Sequence, residues 1–161
     1  MKTLNLGCGQ RKVRMDEVGL DIIKPCDVLW DLNKHPLPFK DEEFDEIYAF
    51  HVLEHFGKQG DWRFFFEEWS EYWRILKPGG LFKGCVPYFK SVWALGDPGH
   101  TRVFPDTYFT FLSQAAYEDQ VGKTGMADYR DVWKGNFNVI YAKCKDGQAF
   151  DFTLQKAGRC A

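Results

Sequence analysis

No run in this chain approaches the ~18 apolar residues of a membrane span, and the opening residues MKTLNLGCG lack the apolar segment of a secretory signal. No C-x-x-C pair occurs. The five cysteines (Cys8, Cys26, Cys85, Cys144, Cys160) stand apart and in odd number, which argues against a disulfide framework and a cysteine-built zinc site. An excess of charge is also missing: 21 Lys and Arg against 23 Asp and Glu leave −2, so nothing pulls the chain toward a polyanion. No repeat, low-complexity tract or linker divides the sequence. The expectation is a single domain over 1–161 in a reducing cytoplasm, without a membrane partner and long enough to bury a real core.

Aromatic residues, by contrast, are plentiful: 17% of the chain, with six Trp. They imply a bulky core or an aromatic-lined pocket. Thr3–Leu6, Val18–Ile22, Asp27–Asp31, Phe44–Val52 and Gly80–Pro87 read as strands, each short, apolar and bounded by turn residues. Asp61 is placed to cap a long helix through Lys77. Its buried face is Trp62, Phe65, Phe66, Trp69, Tyr72, Trp73 and Leu76, recurring at spacings of three and four. The segment 88–133 is irregular and aromatic, and reads as a substrate-facing lid insertion. It holds one expected helix from Pro105 to about Glu118, with Pro105 at the first helical position. Phe137–Lys145 and Gln148–Lys156 alternate around Asp146-Gly147, a hairpin pattern.

Early strands joined by crossovers and closed by a hairpin imply an α/β fold. The sheet is expected to be doubly wound, mostly parallel and seven-stranded, with an antiparallel C-terminal hairpin. Ligands of such sheets bind beyond the carboxyl ends of the strands. Gly7-Cys8-Gly9, Asp21, Asp31 and His51 all fall at strand ends, hence along one edge. A dinucleotide is a poor match there: no third glycine follows Gly9, and Asp21 comes only twelve positions later. That leaves too little chain for a full phosphate-binding helix. A ligand with a ribose and no phosphate anchor fits better. Asp21 can accept from both ribose hydroxyls, and Asp31 can take an exocyclic amine. Either acid, taken singly, is as readily a turn residue or a cap.

The pieces LNLGCG, GLDI, WDLNKHPLPFKDEEFDEIYAFHVLEH and RILKPGG, in that order and spacing, resemble the class I S-adenosylmethionine-dependent methyltransferases. The resemblance runs from about Thr3 to Pro87. It is nearest to small members beginning L-N-L-G-C-G, with a Rossmann-like fold and a shortened first crossover. It implies S-adenosyl-L-methionine as cofactor. Asn5, Leu6, Gly7, Cys8 and Gly9 would lie by the methionine moiety, Asp21 at the ribose, and Ile22 against the adenine. Asp31 and Leu32 would bound the adenine edge, with Phe50 and His51 closing the far side. Two departures stand out: Asn5 replaces the family's common acid, and the usual N-terminal helix and a full first crossover helix are lacking. A symmetric homodimer covering the bare sheet face is one expected consequence.

His51-Val52-Leu53-Glu54-His55 also matches H-x-x-E-H, a zinc-protease pattern. No metal is expected. His51 ends a strand rather than sharing a helix face with His55, no third ligand is evident, and the resemblance supplies HVLEH here without metal. For methyl transfer the protein must align an acceptor and, where needed, remove its proton. The candidates are His100 with Asp97 on the loop GDPGHTRVF, and His51. Arg102 is placed to hold an acceptor anion, or is simply an exposed loop arginine. The expected acceptor is a small molecule, sugar or exposed peptide group. No nucleic acid is expected, since there is no basic stripe and no Pro-Pro-Tyr ending to the fourth strand. The alternative is a non-catalytic S-adenosylmethionine-binding subunit that supports a partner protein.

Overall fold

The computed structural model describes residues 1–9 and 16–158. Seven strands form one sheet: β1 (Thr3–Leu6), β2 (Glu17–Asp21), β3 (Val28–Leu29), β4 (Phe44–Phe50), β5 (Leu76–Pro87), β6 (Phe137–Lys145) and β7 (Ala149–Lys156). Their spatial order is β3-β2-β1-β4-β5-β7-β6. β3 through β5 run parallel, and β7 is antiparallel to both β5 and β6. This is the mostly parallel seven-stranded sheet with an antiparallel C-terminal hairpin expected from the sequence. The expected shortening of the first crossover falls on 10–15, outside the described residues.

Helix α1 (Trp62–Ile75) begins as expected, with Asp61 Oδ1 accepting from the Phe64 N–H at 3.1 Å. It stops at Ile75 rather than Lys77. Leu76 takes extended angles and pairs with Phe44, so the sheet captures the end of the periodic run. The helix expected from Pro105 to Glu118 is two pieces. Pro105 is extended and precedes a 3₁₀ turn over Asp106–Leu112. Ser113 then breaks the run and restarts it, its Oγ accepting from the Ala116 N–H at the head of α3 (Gln114–Gln120). A short α2 (Trp93–Gly96) precedes both. Among the described residues no helix is long and apolar enough to cross a membrane.

Helix α1, the 3₁₀ turn and α3 pack into one core cluster against the sheet. Leu4, Leu6, Leu20, Ile47, Phe82 and Phe152 alternate inward and meet Phe66, Trp69, Tyr72 and Ile75 of α1. The segment 88–133 adds Phe104, Phe109, Leu112, Tyr117 and Trp133 to the same cluster. The aromatic load is therefore mainly core: the rings of Trp69 and Tyr72 sit 5.0 and 4.9 Å from Phe82, and Phe109 sits 4.4 Å from Phe152. On the opposite face, strands β4 and β5 carry polar side chains that satisfy one another. Lys83 Nζ donates to Glu46 Oε1 at 2.7 Å, and the Tyr48 hydroxyl donates to Glu46 Oε2 at 2.6 Å.

Candidate functional site

The carboxyl ends of β1, β2 and β4 converge on a glycine-lined cradle. Gly7 leaves β1 with φ +62°, and a Cβ there would overlap the Val52 side chain. Only glycine meets both demands. The Gly7 and Cys8 amides both donate to the Leu20 carbonyl, at 2.8 and 3.2 Å, folding the turn over the end of β2. Gly9 has φ +57°, and among the described residues nothing lies within 4 Å of where a Cβ would be. Its N–H donates to Asp21 Oδ2 at 2.8 Å, while the Ile23 N–H donates to Oδ1 at 2.9 Å. Two backbone donors thus orient the Asp21 carboxylate, and each oxygen keeps a lone pair. Ile22 and Ile23 beside it are exposed apolar side chains.

Asp31 starts an Asx turn, accepting from the Asn33 N–H at 2.9 Å and from the Asn33 side chain at 3.0 Å. Those hydrogen bonds, the backbone one first, hold its carboxyl below the usual range. Asn33 Oδ1 in turn accepts from the Gly57 N–H at 3.0 Å, so the loop after β3 is tied to the loop after β4. Leu6, Leu32 and Asn5 are buried, which leaves mainly their backbone for a ligand at the edge. Cys8 is also buried, and burial, followed by the Asp21 charge, raises its thiol.

His51 sits at the end of β4 with φ +52°, a left-handed conformation that costs a non-glycine residue on the order of 1–3 kcal/mol. The strand holds it there: the His51 N–H donates to the Cys85 carbonyl at 2.8 Å. Its Nδ1 faces Glu54 Oε1 at 3.5 Å, and its Nε2 lies 3.4 Å from Cys85 Sγ. The hydrogen bond to Glu54 is the main cause of a raised imidazole pKa. Burial, then Asp151, pushes the Cys85 thiol up to about 12. Phe50 points to the open face and stacks on Tyr48 at 5.6 Å. With His51, Cys85, Tyr141 and Asp151 it lines a shallow recess of about 430 Å³.

His100 and Asp97 come together on the loop after β5, with His100 Nε2 3.8 Å from Asp97 Oδ2. The His100 side chain is only 8% exposed and packs its ring 4.8 Å from that of His55. Arg102 departs from the role considered for it. It is buried, donating to Glu68 Oε1 at 2.7 Å and to the Leu53 carbonyl at 2.9 Å, so its charge is already matched. Glu68 also accepts from the Tyr72 hydroxyl at 2.9 Å. Lys58, Trp62, Phe65, Arg102, Tyr108 and Tyr129 wall a separate cavity of about 240 Å³. Val52 and these aromatic walls were not singled out from the sequence as site residues. The Trp62/Phe65 pair was visible there only as a helix face.

A family model described as a methyltransferase domain matches residues 4–83, about half of the chain. No curated protein matches the sequence with significance. Among solved structures, a S-adenosylmethionine-dependent methyltransferase from Methanosarcina mazei superposes with a TM-score of 0.61 at 16% identity, covering 97% of this chain and 92% of that one. One from Archaeoglobus fulgidus also gives 0.61, at 15% identity, covering 96% and 86%. The complex of the Haloferax volcanii Trm112 methyltransferase activator with a putative methyltransferase gives 0.56 at 14% identity, covering 98% and 83%. The family-model match shows that the chain belongs to the S-adenosylmethionine-dependent methyltransferases, and the solved structures share its fold.

Proposed function

We propose that the cradle at Gly7, Gly9 and Asp21 holds S-adenosylmethionine and that the acceptor is a small molecule. The observation that carries the cofactor assignment is the Asp21 carboxylate, oriented by the Gly9 and Ile23 amides beside space at Gly9 that no described residue enters. Two acceptor oxygens at a strand end suit two ribose hydroxyls, the exposed Ile22 offers an apolar surface to a base, and Asp31 lies next in line. When bound, the cofactor supplies a methyl group on a sulfonium, already activated for in-line displacement.

The chain's own contribution is alignment and proton removal. His51 is the residue best disposed to take a proton: Glu54 anchors Nδ1, which leaves Nε2 as the accepting nitrogen at the recess. This shifts the base from His100, whose side chain is buried. The recess at Phe50, His51, Cys85, Tyr141 and Asp151, with the accepting nitrogen on its wall, is the acceptor site of this proposal. At about 430 Å³ it lies low in the ~300–1,000 Å³ range of small-molecule sites, which favours a small molecule over a glycan or peptide.

Calorimetric titration of the full chain with S-adenosylmethionine tests the cofactor assignment. Asp21→Asn is expected to weaken binding roughly 10- to 100-fold, the loss of about 1.5–3 kcal/mol for a hydrogen bond to a charged group. Unchanged affinity would overturn it. The alternative, a non-catalytic S-adenosylmethionine-binding subunit that supports a partner protein, draws on the Haloferax complex of an activator with a putative methyltransferase. It predicts cofactor binding by the isolated chain with turnover only when a partner protein is added.

A further inference from the structure

The turn after β4 and the loop after β5 meet in a cluster from which the methyl-transfer reading uses only Glu54 Oε1. Glu54 is 2% exposed, and its Oε2 has no hydrogen-bond partner among the described residues. His100 Nδ1 is likewise buried and unpartnered. His55 Nδ1 lies 3.1 Å from the Gly99 carbonyl, so this nitrogen carries the proton and Nε2 keeps its lone pair. Each of Glu54, His55 and His100 offers one donor atom within 4.8 Å of the other two. A buried carboxylate oxygen and a buried imidazole nitrogen without partners are costly to keep unless something charged or donating sits between them.

We infer that Glu54 Oε2, His55 Nε2 and His100 Nδ1 bind one divalent transition-metal ion of the zinc or iron(II) class. Two imidazoles with one carboxylate select such ions over magnesium or calcium, which take oxygen donors. The outer partners that orient metal ligands are present for all three. Glu54 Oε1 faces His51, His55 Nδ1 faces the Gly99 carbonyl, and His100 Nε2 faces Asp97. The backbone fixes the two segments together, with the Thr101 N–H donating to the Glu54 carbonyl at 2.9 Å and the Gln59 N–H to the Thr101 carbonyl at 3.1 Å. Three protein donors leave positions open for water or an acceptor oxygen. H-x-x-E-H is therefore used differently from the protease pattern: His51 turns to Glu54 and Cys85, and the third ligand comes from the loop after β5.

The test uses the full chain, stripped with chelator and titrated with cobalt(II) under visible d–d absorption, then with zinc(II) in competition. One equivalent should bind and be displaced by zinc. His55→Ala and His100→Ala should each weaken binding about 100-fold or more, and Asp97→Asn roughly 10- to 100-fold. His35→Gln, outside the cluster, should change nothing. Circular dichroism and the S-adenosylmethionine titration of each variant check that the fold is intact. Absence of saturable cobalt binding in the wild-type chain would overturn the site, and so would binding that survives both histidine substitutions in folded protein. Metal binding without cofactor binding would support the site while overturning the cofactor assignment, so the two readings fail separately.

Discussion

Gly7 and Gly9 share a left-handed backbone but differ in what surrounds them, and that difference can be measured. Replacing either by Ala imposes the cost of positive φ on a residue with a Cβ, about 1–2 kcal/mol. At Gly9 no other described residue is within 4 Å, so that cost is the whole expected loss of stability among them. At Gly7 the new methyl collides with Val52, a residue only 7% exposed and held between the ends of β4 and β1. Overpacking of this kind adds about 1–3 kcal/mol. Urea unfolding should therefore rank Gly7→Ala below Gly9→Ala by about 1–3 kcal/mol, and Val52→Ala in the Gly7→Ala background should recover part of that gap. Cofactor affinity should run the other way relative to stability. The Gly9 methyl enters the space assigned to the ligand, so Gly9→Ala should weaken S-adenosylmethionine binding while costing little in folding. Equal destabilisation by the two substitutions would refute the steric argument, and wild-type affinity in Gly9→Ala would refute the placement of the ligand.

Arg102→Met removes one half of a buried ion pair whose partner, Glu68, is fully buried. It should destabilise the chain by about 3–5 kcal/mol in urea melts. An effect on acceptor KM without loss of stability would contradict the structural role. Tyr141→Ala opens the wall of the recess beside His51 and should raise the acceptor KM, leaving cofactor affinity as it is; an unchanged KM would argue that the acceptor sits elsewhere. Cys85, whose pKa lies at about 12, should stay a thiol at pH 8 and label slowly with iodoacetamide by peptide mass mapping. Its labelling should rise only as pH climbs toward that value. Labelling at the rate of an ordinary surface cysteine would show that Asp151 and burial do not hold the proton.

What the sequence disclosed was chiefly what local pattern encodes. Strands end where apolar runs meet glycine or acid, so the sequence pattern alone places Gly7, Asp21, Asp31 and His51 on one edge. The Asp61 cap was legible for the same reason, since a side chain and an amide three residues on decide it. The helix expected over Pro105–Glu118 failed because Ser113 competes for the backbone locally, splitting a continuous-looking pattern in two. The end of α1 shifted because a tertiary pairing, Leu76 with Phe44, outweighed periodicity. The role considered for Arg102 turned on a partner at Glu68, 34 positions away, whose approach no local pattern announces.

The stretch from Phe50 to His55 gathers these lessons in one place. Read as a motif it offers two histidines and an acid, and the natural question is whether both histidines serve one ion. The fold separates them. Ending the strand in a left-handed residue turns His51 toward Cys85 and the open face, while the 3₁₀ turn over Leu53–His55 buries Glu54 and aims His55 at the loop carrying His100. Glu54 stands between the two groups with one oxygen toward His51 and the other unpartnered. A carboxylate so placed couples whatever happens at the two sites: neutralising Glu54 loosens the anchor of the proposed base and removes a donor from the proposed ion together. Glu54→Gln should therefore cost both cobalt affinity and turnover in folded protein. His100→Ala keeps the Glu54–His51 contact and should spare the orientation of His51, read as the histidine's chemical shifts. Loss of that orientation in His100→Ala would mean that the two sites are one.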